Sequence, residues 1–473
     1  MNQELKGIIA ATIAFFALCC FIAFRYDGTG DAGDAVQHFQ FAEYAFKHPE
    51  NFFNHWAKPF FTLVAAPFAQ FGFVGIKIFN SLNAALTLYL TYQIARKLRF
   101  PNAWLVFLIL ATCSQFFTLI FSGLTEHFSA LMLVTVTWLF LRKEYVLATL
   151  IVSFLPFVRS EGLLLIGVTT LFLMAEKRWR VLPLLAVGHV VYSLAGWFYF
   201  HDLMWVFNRI PYATLSAYGH GAWFHFIEKL YYATGLVPFI LWIMGSVGVF
   251  FLIFSKKRTP QYMTSNGIPK IGKRVFGLIF GYFFSLLIAH SAFWYFGIFN
   301  SFGLARVMNT VMPEFALIAL VGFNFLTDFI GSPKIKMGVQ TVLIAAIALM
   351  PFTKSPASIL FPEAFVRTSD QVILGDVTRY IQEKMPNNCV FYSNPCIPFY
   401  LNIDPYDAAL CRITLRLNDG DLPDKSIIVW DNLFTVLDHK LTLEMLRQDA
   451  RFEEIRSWQT TEGGFQFTLF KKR

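Results

Sequence analysis

Apolar runs of roughly 18 or more residues recur along the chain from Gly7 to Met350 and then stop, a length that matches the hydrocarbon core of a bilayer. Eleven spans fit this hydropathy, at about 8–24, 75–95, 103–121, 127–141, 145–158, 162–175, 182–200, 233–254, 275–292, 307–325 and 337–352, within a range of ten to thirteen. The first run, Ile8–Phe24, has Lys6 as its single basic lead and no small-x-small cleavage site, and many spans follow it. It reads as a retained span rather than a signal peptide.

Three intervals between spans are more than connectors. In the first, about 25–74, Phe39, Phe41, Ala42, Ala45 and Phe46 recur at near-helical spacing, and Phe60–Phe71 forms a second apolar stretch led by Pro59. Both predict helices lying along the membrane surface. The second interval, about 201–232, is rich in aromatic residues and histidine, and the third, 290–306, ends in Arg306. The stretch 255–274, with Pro260, Gly267 and Pro269, predicts a cytoplasmic connector. Beyond Pro351 the pattern changes. Strand-like runs at Cys389–Tyr392, Ser426–Trp430, Phe452–Trp458 and Phe465–Phe470 alternate with helical patterns at about Ser369–Lys384 and Leu441–Asp449. The pattern therefore predicts an all-α polytopic membrane protein of about eleven transmembrane helices, residues 1–352, followed by a small extracytoplasmic α/β domain, residues 353–473.

Composition agrees: of 473 residues 56% are hydrophobic and 15% charged, mean hydropathy is +0.52, and 56 residues are Phe. A net charge of +9 does not point to nucleic acid, because the basic residues sit mostly in short loops. With the N-terminus in the cytoplasm, 17 Lys and Arg fall in cytoplasmic loops, including Arg96, Lys97, Arg142, Lys177 and Lys256. Seven fall opposite: Arg25, Lys47, Lys58, Arg159, Arg209, Lys229 and Arg306. That bias sets the orientation and puts the C-terminal domain outside. Cys389, Cys396 and Cys411 lie in that domain, where one pair could form a disulfide with one cysteine left over. No Cys/His metal spacing is present.

The candidate chemistry lies at the outer ends of spans. Asp27-Gly-Thr-Gly-Asp31-Ala-Gly-Asp34-Ala-Val-Gln-His38 puts three carboxylates and a histidine within twelve residues of a sparsely charged chain. Asp34 leads into a predicted helix, so capping competes with a catalytic role. Glu126 and His127 occupy a very short turn between spans, where an ionised group faces a cavity or a partner, or else reaches the interface. Arg159-Ser-Glu161-Gly162 fills another such turn, either as a structural ion pair or as a pocket-lining pair. Arg306 follows an aromatic stretch. Its guanidinium suits a lipid phosphate, and snorkelling is the alternative. His220 and His225 are weaker candidates, since most loop histidines are bystanders.

These residues resemble the GT-C glycosyltransferases, polytopic enzymes that take a sugar from a polyprenyl-phosphate or polyprenyl-diphosphate donor. Gly33-Asp34-Ala35 with His38 is similar to the superfamily's first acidic motif, and Arg159-Ser-Glu161-Gly162 to an Arg-Pro-Glu/Asp-Gly turn, with Ser160 in place of Pro. The loop 207–220, which contains Tyr212 and His220, is similar to a substrate-facing loop of such proteins. A long Trp-Trp-Asp signature is absent, which disfavours en bloc glycan transfer. The resemblance implies a mannosyltransferase-like, inverting enzyme of a bacterial inner membrane. Asp34 or Asp31 would be the general base. Arg306 and Arg159 would supply positive charge for the leaving phosphate, with Glu161, Glu126, His127, Tyr212, His220 and His38 lining the substrate site. The resemblance names no definite cofactor, since many such enzymes work without a metal, and a divalent metal held by Glu126, His127 and Asp34 stays open. The partners implied are a lipid-linked hexose or pentose donor, membrane lipids and a glycan, lipid or protein acceptor.

Two other classes compete. Ionisable residues in a polytopic bundle also mark transporters and lipid flippases, but here they lie at span ends rather than at mid-membrane, and no inverted repeat is visible. A non-catalytic envelope scaffold is the third reading.

Overall fold

A computed structural model describes residues 3–30, 33–211, 215–216, 218–254, 270–355, 357–414, 422–461 and 463–473. The predicted connector 255–274 lies outside the described residues up to 269. The helices are α1 (Gln3–Arg25), α2 (Asp34–Glu43), α3 (Pro59–Ala69), α4 (Gly72–Lys97), α5 (Leu105–Ala111), α6 (Ser114–Thr118) and α7 (Glu126–Leu141). There follow α8 (Tyr145–Phe154), α9 (Gly162–Ala175), α10 (Val187–Phe200), α11 (Trp205–Asn208), α12 (His225–Thr234), α13 (Leu236–Phe254), α14 (Lys270–Phe296), α15 (Met312–Asp328) and α16 (Pro333–Leu349). Each predicted span overlaps helix, though several are broken by turns or 3-10 segments. Six helices among the described residues are long and apolar enough to cross a membrane singly, or seven if one bent pair counts as a span.

The exceptions shape the site. The predicted span 103–121 is not one helix: Cys113 is extended, a 3-10 turn covers Leu119–Phe121, and the segment Ser114–Phe121 meets α7 at a 120° bend. Backbone carbonyls exposed by such a break must find donors. Asn80 of α4 supplies them, its amide donating to the Ser122 and Leu124 carbonyls at 2.8 and 3.1 Å. The turn packs so closely on α2 that a Cβ at Gly123 would lie 2.1 Å from the Ala35 carbonyl oxygen. Helices form at both places predicted in the interval 25–74, as α2 and α3, and Pro59 takes the first turn of α3, where a missing N–H costs nothing.

Beyond Phe352 the chain forms α17 (Ser369–Lys384), β1 (Cys389–Tyr392), α18 (Cys396–Leu401), β2 (Cys411–Ile413), β3 (Ser426–Asp431), α19 (Phe434–Leu437), α20 (Leu443–Gln448), β4 (Phe452–Gln459) and β5 (Gln466–Lys472). The sheet order is β2-β1-β3-β5-β4. Strands β2, β1 and β3 run parallel, and β5 and β4 close the sheet antiparallel. The four predicted strands are present. β2 is an addition, three residues being too short to stand out from its neighbours. Cys389, Cys396 and Cys411 are buried free thiols, so the disulfide left open by the sequence does not form.

This sheet unit is seated on the long segment between α1 and α4. The Gly28 N–H donates to the Phe365 carbonyl (2.9 Å), Arg367 pairs with Asp27 (2.7 Å), and Gln371 donates to the Thr29 hydroxyl (2.7 Å). Phe39 and Phe73 pack edge-on against Phe399. Asp404, 6% exposed, takes Lys47 Nζ at 2.6 Å and His48 Nε2 at 2.9 Å. Burial would raise the Asp404 carboxyl, but those two donors hold it below the usual carboxylate range. A carboxyl depressed in the folded state stabilises above its unfolded pKa and ceases to do so as pH falls through its folded one. Asp404→Asn is therefore expected to melt earlier than wild type at pH 7 in detergent, with the gap closing once pH drops below about 4. An equal gap at both pH values would rule out this ionic latch.

Candidate functional site

Asp34 is the first residue of α2, whose N-cap is Gly33 with no side-chain cap. Its carboxylate is not spent on the helix end. Oδ2 instead contacts Arg306 Nη2 directly, and the Asp34 side chain remains 44% exposed. Arg306 lies in a 3-10 turn, Ala305–Val311, that leads into α15. The Gln115 side chain holds that turn once its amide is turned to match the groups it faces: the oxygen then accepts from the Arg306 N–H (2.9 Å) and the nitrogen donates to the Ala305 carbonyl (3.2 Å). His225 Nε2 sits 2.6 Å from the Gly303 carbonyl just upstream.

Behind this pair runs a line of alternating charge. Glu126, the first residue of α7, is 2% exposed and places Oε1 2.7 Å from Arg159 Nη1 and 3.8 Å from Arg306 Nε. Arg159 Nη2 continues to Glu161 Oε1 at 2.8 Å, and His290 Nε2 of α14 approaches the same oxygen at 3.3 Å. Thr125 Oγ1 accepts from Arg159 Nη1 at 3.3 Å. One guanidinium thus forks between two carboxylates, the geometry that lets buried ions compensate one another. The backbone allows it because Gly162 lets the turn fold tightly: a Cβ there would meet the Leu155 carbonyl carbon at 2.4 Å. Glu126 Oε2 and Arg159 Nε are buried without hydrogen-bond partners.

Lys58 joins from the first loop, its ammonium donating to Ser160 Oγ at 2.8 Å. Its backbone takes φ 66°, a left-handed conformation that costs a non-glycine residue about 1–3 kcal/mol and that surrounding structure must enforce. Burial pushes the Lys58 ammonium down to about 7, with Glu161 opposing the shift and Arg159 adding to it. The position therefore loads a poorly solvated amine against a cluster of three basic residues (Lys58, Arg159, Arg306) and three acidic ones (Asp34, Glu126, Glu161).

The structure brings together Asp34, Arg306, Glu126, Arg159 and Glu161 from the sequence candidates. It sets others apart. His38 is buried, stacked on Trp56 at 4.7 Å and edge-on to Phe61, and burial and nearby cations hold it neutral with a pKa of about 3. His127 packs against the Phe116 ring and joins none of these ion pairs. His220 is exposed, beside the Gly297 turn. Asp31 and Tyr212 lie outside the described residues. Among the described residues no three His, Cys, Asp or Glu side chains are placed to hold a metal, so Asp34, Glu126 and His127 do not form the triad left open by the sequence. Sequence reasoning missed Lys58, His290, Ser160 and Gln115 as members of the site. Only Lys58 carried a signal, a Lys-Pro step at the head of an apolar helix.

No family model matches the chain, and neither does any curated protein. Among solved structures, ArnT from Cupriavidus metallidurans shares the fold. Its apo structure aligns with a TM-score of 0.63 at 12% identity, covering 98% of each chain. The structure of the same protein bound to undecaprenyl phosphate aligns with a TM-score of 0.58 at 11% identity, again covering 98% of each. The likeness shows that the two proteins share one overall fold along almost their whole length.

Removing Arg159 would leave the Glu126 and Glu161 carboxylates buried without their shared partner, a loss of about 3–5 kcal/mol. Arg159→Ala is expected to unfold much earlier than wild type in nanodiscs, and Arg159→Lys to recover only part of the loss, because an ammonium cannot fork. Full recovery by lysine would refute the bidentate role.

Proposed function

We propose that this chain is an inverting glycosyltransferase that moves a hexose or pentose from a polyprenyl-phosphate-linked donor to an extracytoplasmic acceptor hydroxyl. The carrying observation is the half-exposed Asp34 carboxylate held against Arg306 at the mouth of the buried ion-pair line. The shared fold with a protein that binds undecaprenyl phosphate supports the same donor class. In this reading residues 1–352 form an eleven-span catalytic module with a cytoplasmic N-terminus. Residues 353–473 lie in the periplasm of a bacterial inner membrane.

The donor phosphate competes with Asp34 for Arg306. Once it binds, Arg306 and Lys58 share the anion, and Arg159 acts through Glu126 by keeping Arg306 in place. Asp34 is then free to accept the proton of an acceptor hydroxyl. The acceptor oxygen forms a bond to the anomeric carbon as the bond from that carbon to the phosphate oxygen breaks. The departing polyprenyl phosphate carries the electron pair on an already stable anion, so charge stabilisation matters more than an acid. A single displacement inverts the anomeric centre.

The test is binding and turnover in nanodiscs. Asp34→Asn is expected to bind undecaprenyl phosphate and lose transfer by at least about a hundredfold, whereas Arg306→Ala loses the binding. Retained transfer in Asp34→Asn defeats the assignment. The Lys58 shift adds a pH signature. An amine that burial lowers to about 7 in the free protein takes up a proton when an anion arrives. Affinity for undecaprenyl phosphate is expected to fall as pH rises above 7, and Lys58→Met is expected to bind more weakly with a flatter profile. Identical profiles would remove Lys58 from the phosphate site.

A further inference from the structure

The sheet presents a second set of polar groups toward Asp34. Strand β1 lies between β2 and β3, so the chain leaves β1 to one side and crosses to the other, a topological switch point. In parallel sheets ligands bind outside the carboxyl ends of the strands at such a point. Here Ser393 directly follows β1, Thr414 follows β2, and Asp431 ends β3. The Ser393 and Thr414 hydroxyls touch each other, and His439 Nδ1 lies 2.9 Å from the first and 2.5 Å from the second. Thr435 Oγ1 links Ser393 (3.0 Å) to Asp431 (2.8 Å).

This edge abuts the candidate base. Asp431 Oδ1 accepts the Phe434 and Leu433 backbone N–H groups, which sets the turn into α19. The Phe434 ring then presses on Gly33, where a Cβ would meet it at 2.8 Å. Tyr218, from the aromatic loop, packs on Phe302 at 4.3 Å, and burial with the negative charges of Asp438 and Asp34 raises its phenol. Both Tyr218 and Asp438 feel the charge of Asp34. Three separate parts of the chain therefore converge on one carboxylate.

We propose that this wall reads the acceptor and that the acceptor is a neutral sugar ring, with Asp438, Tyr218 and His439 as its specificity-determining residues. The inference rests on the transferase reading above, in which the acceptor hydroxyl must reach Asp34. Hydroxyls that both donate and accept, an imidazole that burial keeps neutral, and a carboxylate match the hydroxyls of a sugar. Two carboxylates, Asp34 and Asp438, repel an anionic acceptor such as a phosphate. Lys440, two residues after Asp438, is turned to the Leu437 carbonyl at 2.7 Å.

The test is saturation-transfer NMR on the full chain in nanodiscs, with methyl glycosides of glucose, mannose and galactose beside glucose 6-phosphate. At least one methyl glycoside is expected to bind. Its affinity should fall about tenfold in Asp438→Asn and in Tyr218→Phe, a change of about 1.4 kcal/mol. Binding of undecaprenyl phosphate should stay unchanged in both, which also reports that the variants are folded. Tyr218→Phe removes one hydroxyl and keeps the ring packing. The proposal falls if no methyl glycoside binds, if glucose 6-phosphate binds better, or if both variants bind like wild type. A wild type that binds glycosides, with the variant effect, but no undecaprenyl phosphate would sink the donor assignment and leave the sugar site standing.

Discussion

Glu126 is the carboxylate around which one end of the bundle is arranged. It is almost wholly removed from water, and a buried carboxylate is tolerable only against a partner that repays its lost hydration. Arg159 does so on one side and Arg306 stands on the other, so one buried charge ties together the start of α7, the turn before α9 and the turn before α15. Arg306 in turn is what Asp34 meets at the surface. Loss of the central carboxylate would release two cations and with them the position of the exposed aspartate.

That arrangement needs irregular backbone at span ends. The chain breaks between α5 and α7, bends by 120°, and has the carbonyls of the break satisfied by Asn80. Irregular backbone near hydrocarbon persists only where protein groups satisfy it, so the break and its amide partner form a single device. The φ of Lys58 is a related case. A strained residue is held in place by its neighbours, and the result is an amine pointed at Ser160 rather than at water.

The C-terminal unit packs closely on the chain that follows α1. Its seat there, through Gly28, Asp27, Thr29 and the Lys47–Asp404–His48 cluster, braces the segment that carries α2. Asp34 therefore takes its position from two directions, the bundle through Arg306 and the sheet through Phe434 on Gly33. Under the proposed transferase function, donor and acceptor would be read by different layers of one protein, with the base at their boundary.

Hydropathy by itself located the long helices of the bundle, because a bilayer demands long apolar runs, but it missed the short helices Trp205–Asn208 and His225–Thr234 and the break within 103–121. Alternation likewise located four of the five strands, and β2 escaped because three residues carry too little pattern. Short motifs exposed Asp34, Glu126, Arg159, Glu161 and Arg306, since charges are scarce in such a chain and stand out. Sequence could not say which of them meet. Asp34 and Arg306 are 272 residues apart, and only packing makes them neighbours. Nor could it separate the histidines: His38 and His290 look alike as letters, yet one is a stacked core residue and the other faces Glu161. Lys58, Gln115 and the Ser393–Thr414–His439 edge were silent for the same reason. Hydrophobic periodicity is a local property written in the order of residues, whereas a site is a coincidence of distant side chains that exists only once the chain has packed.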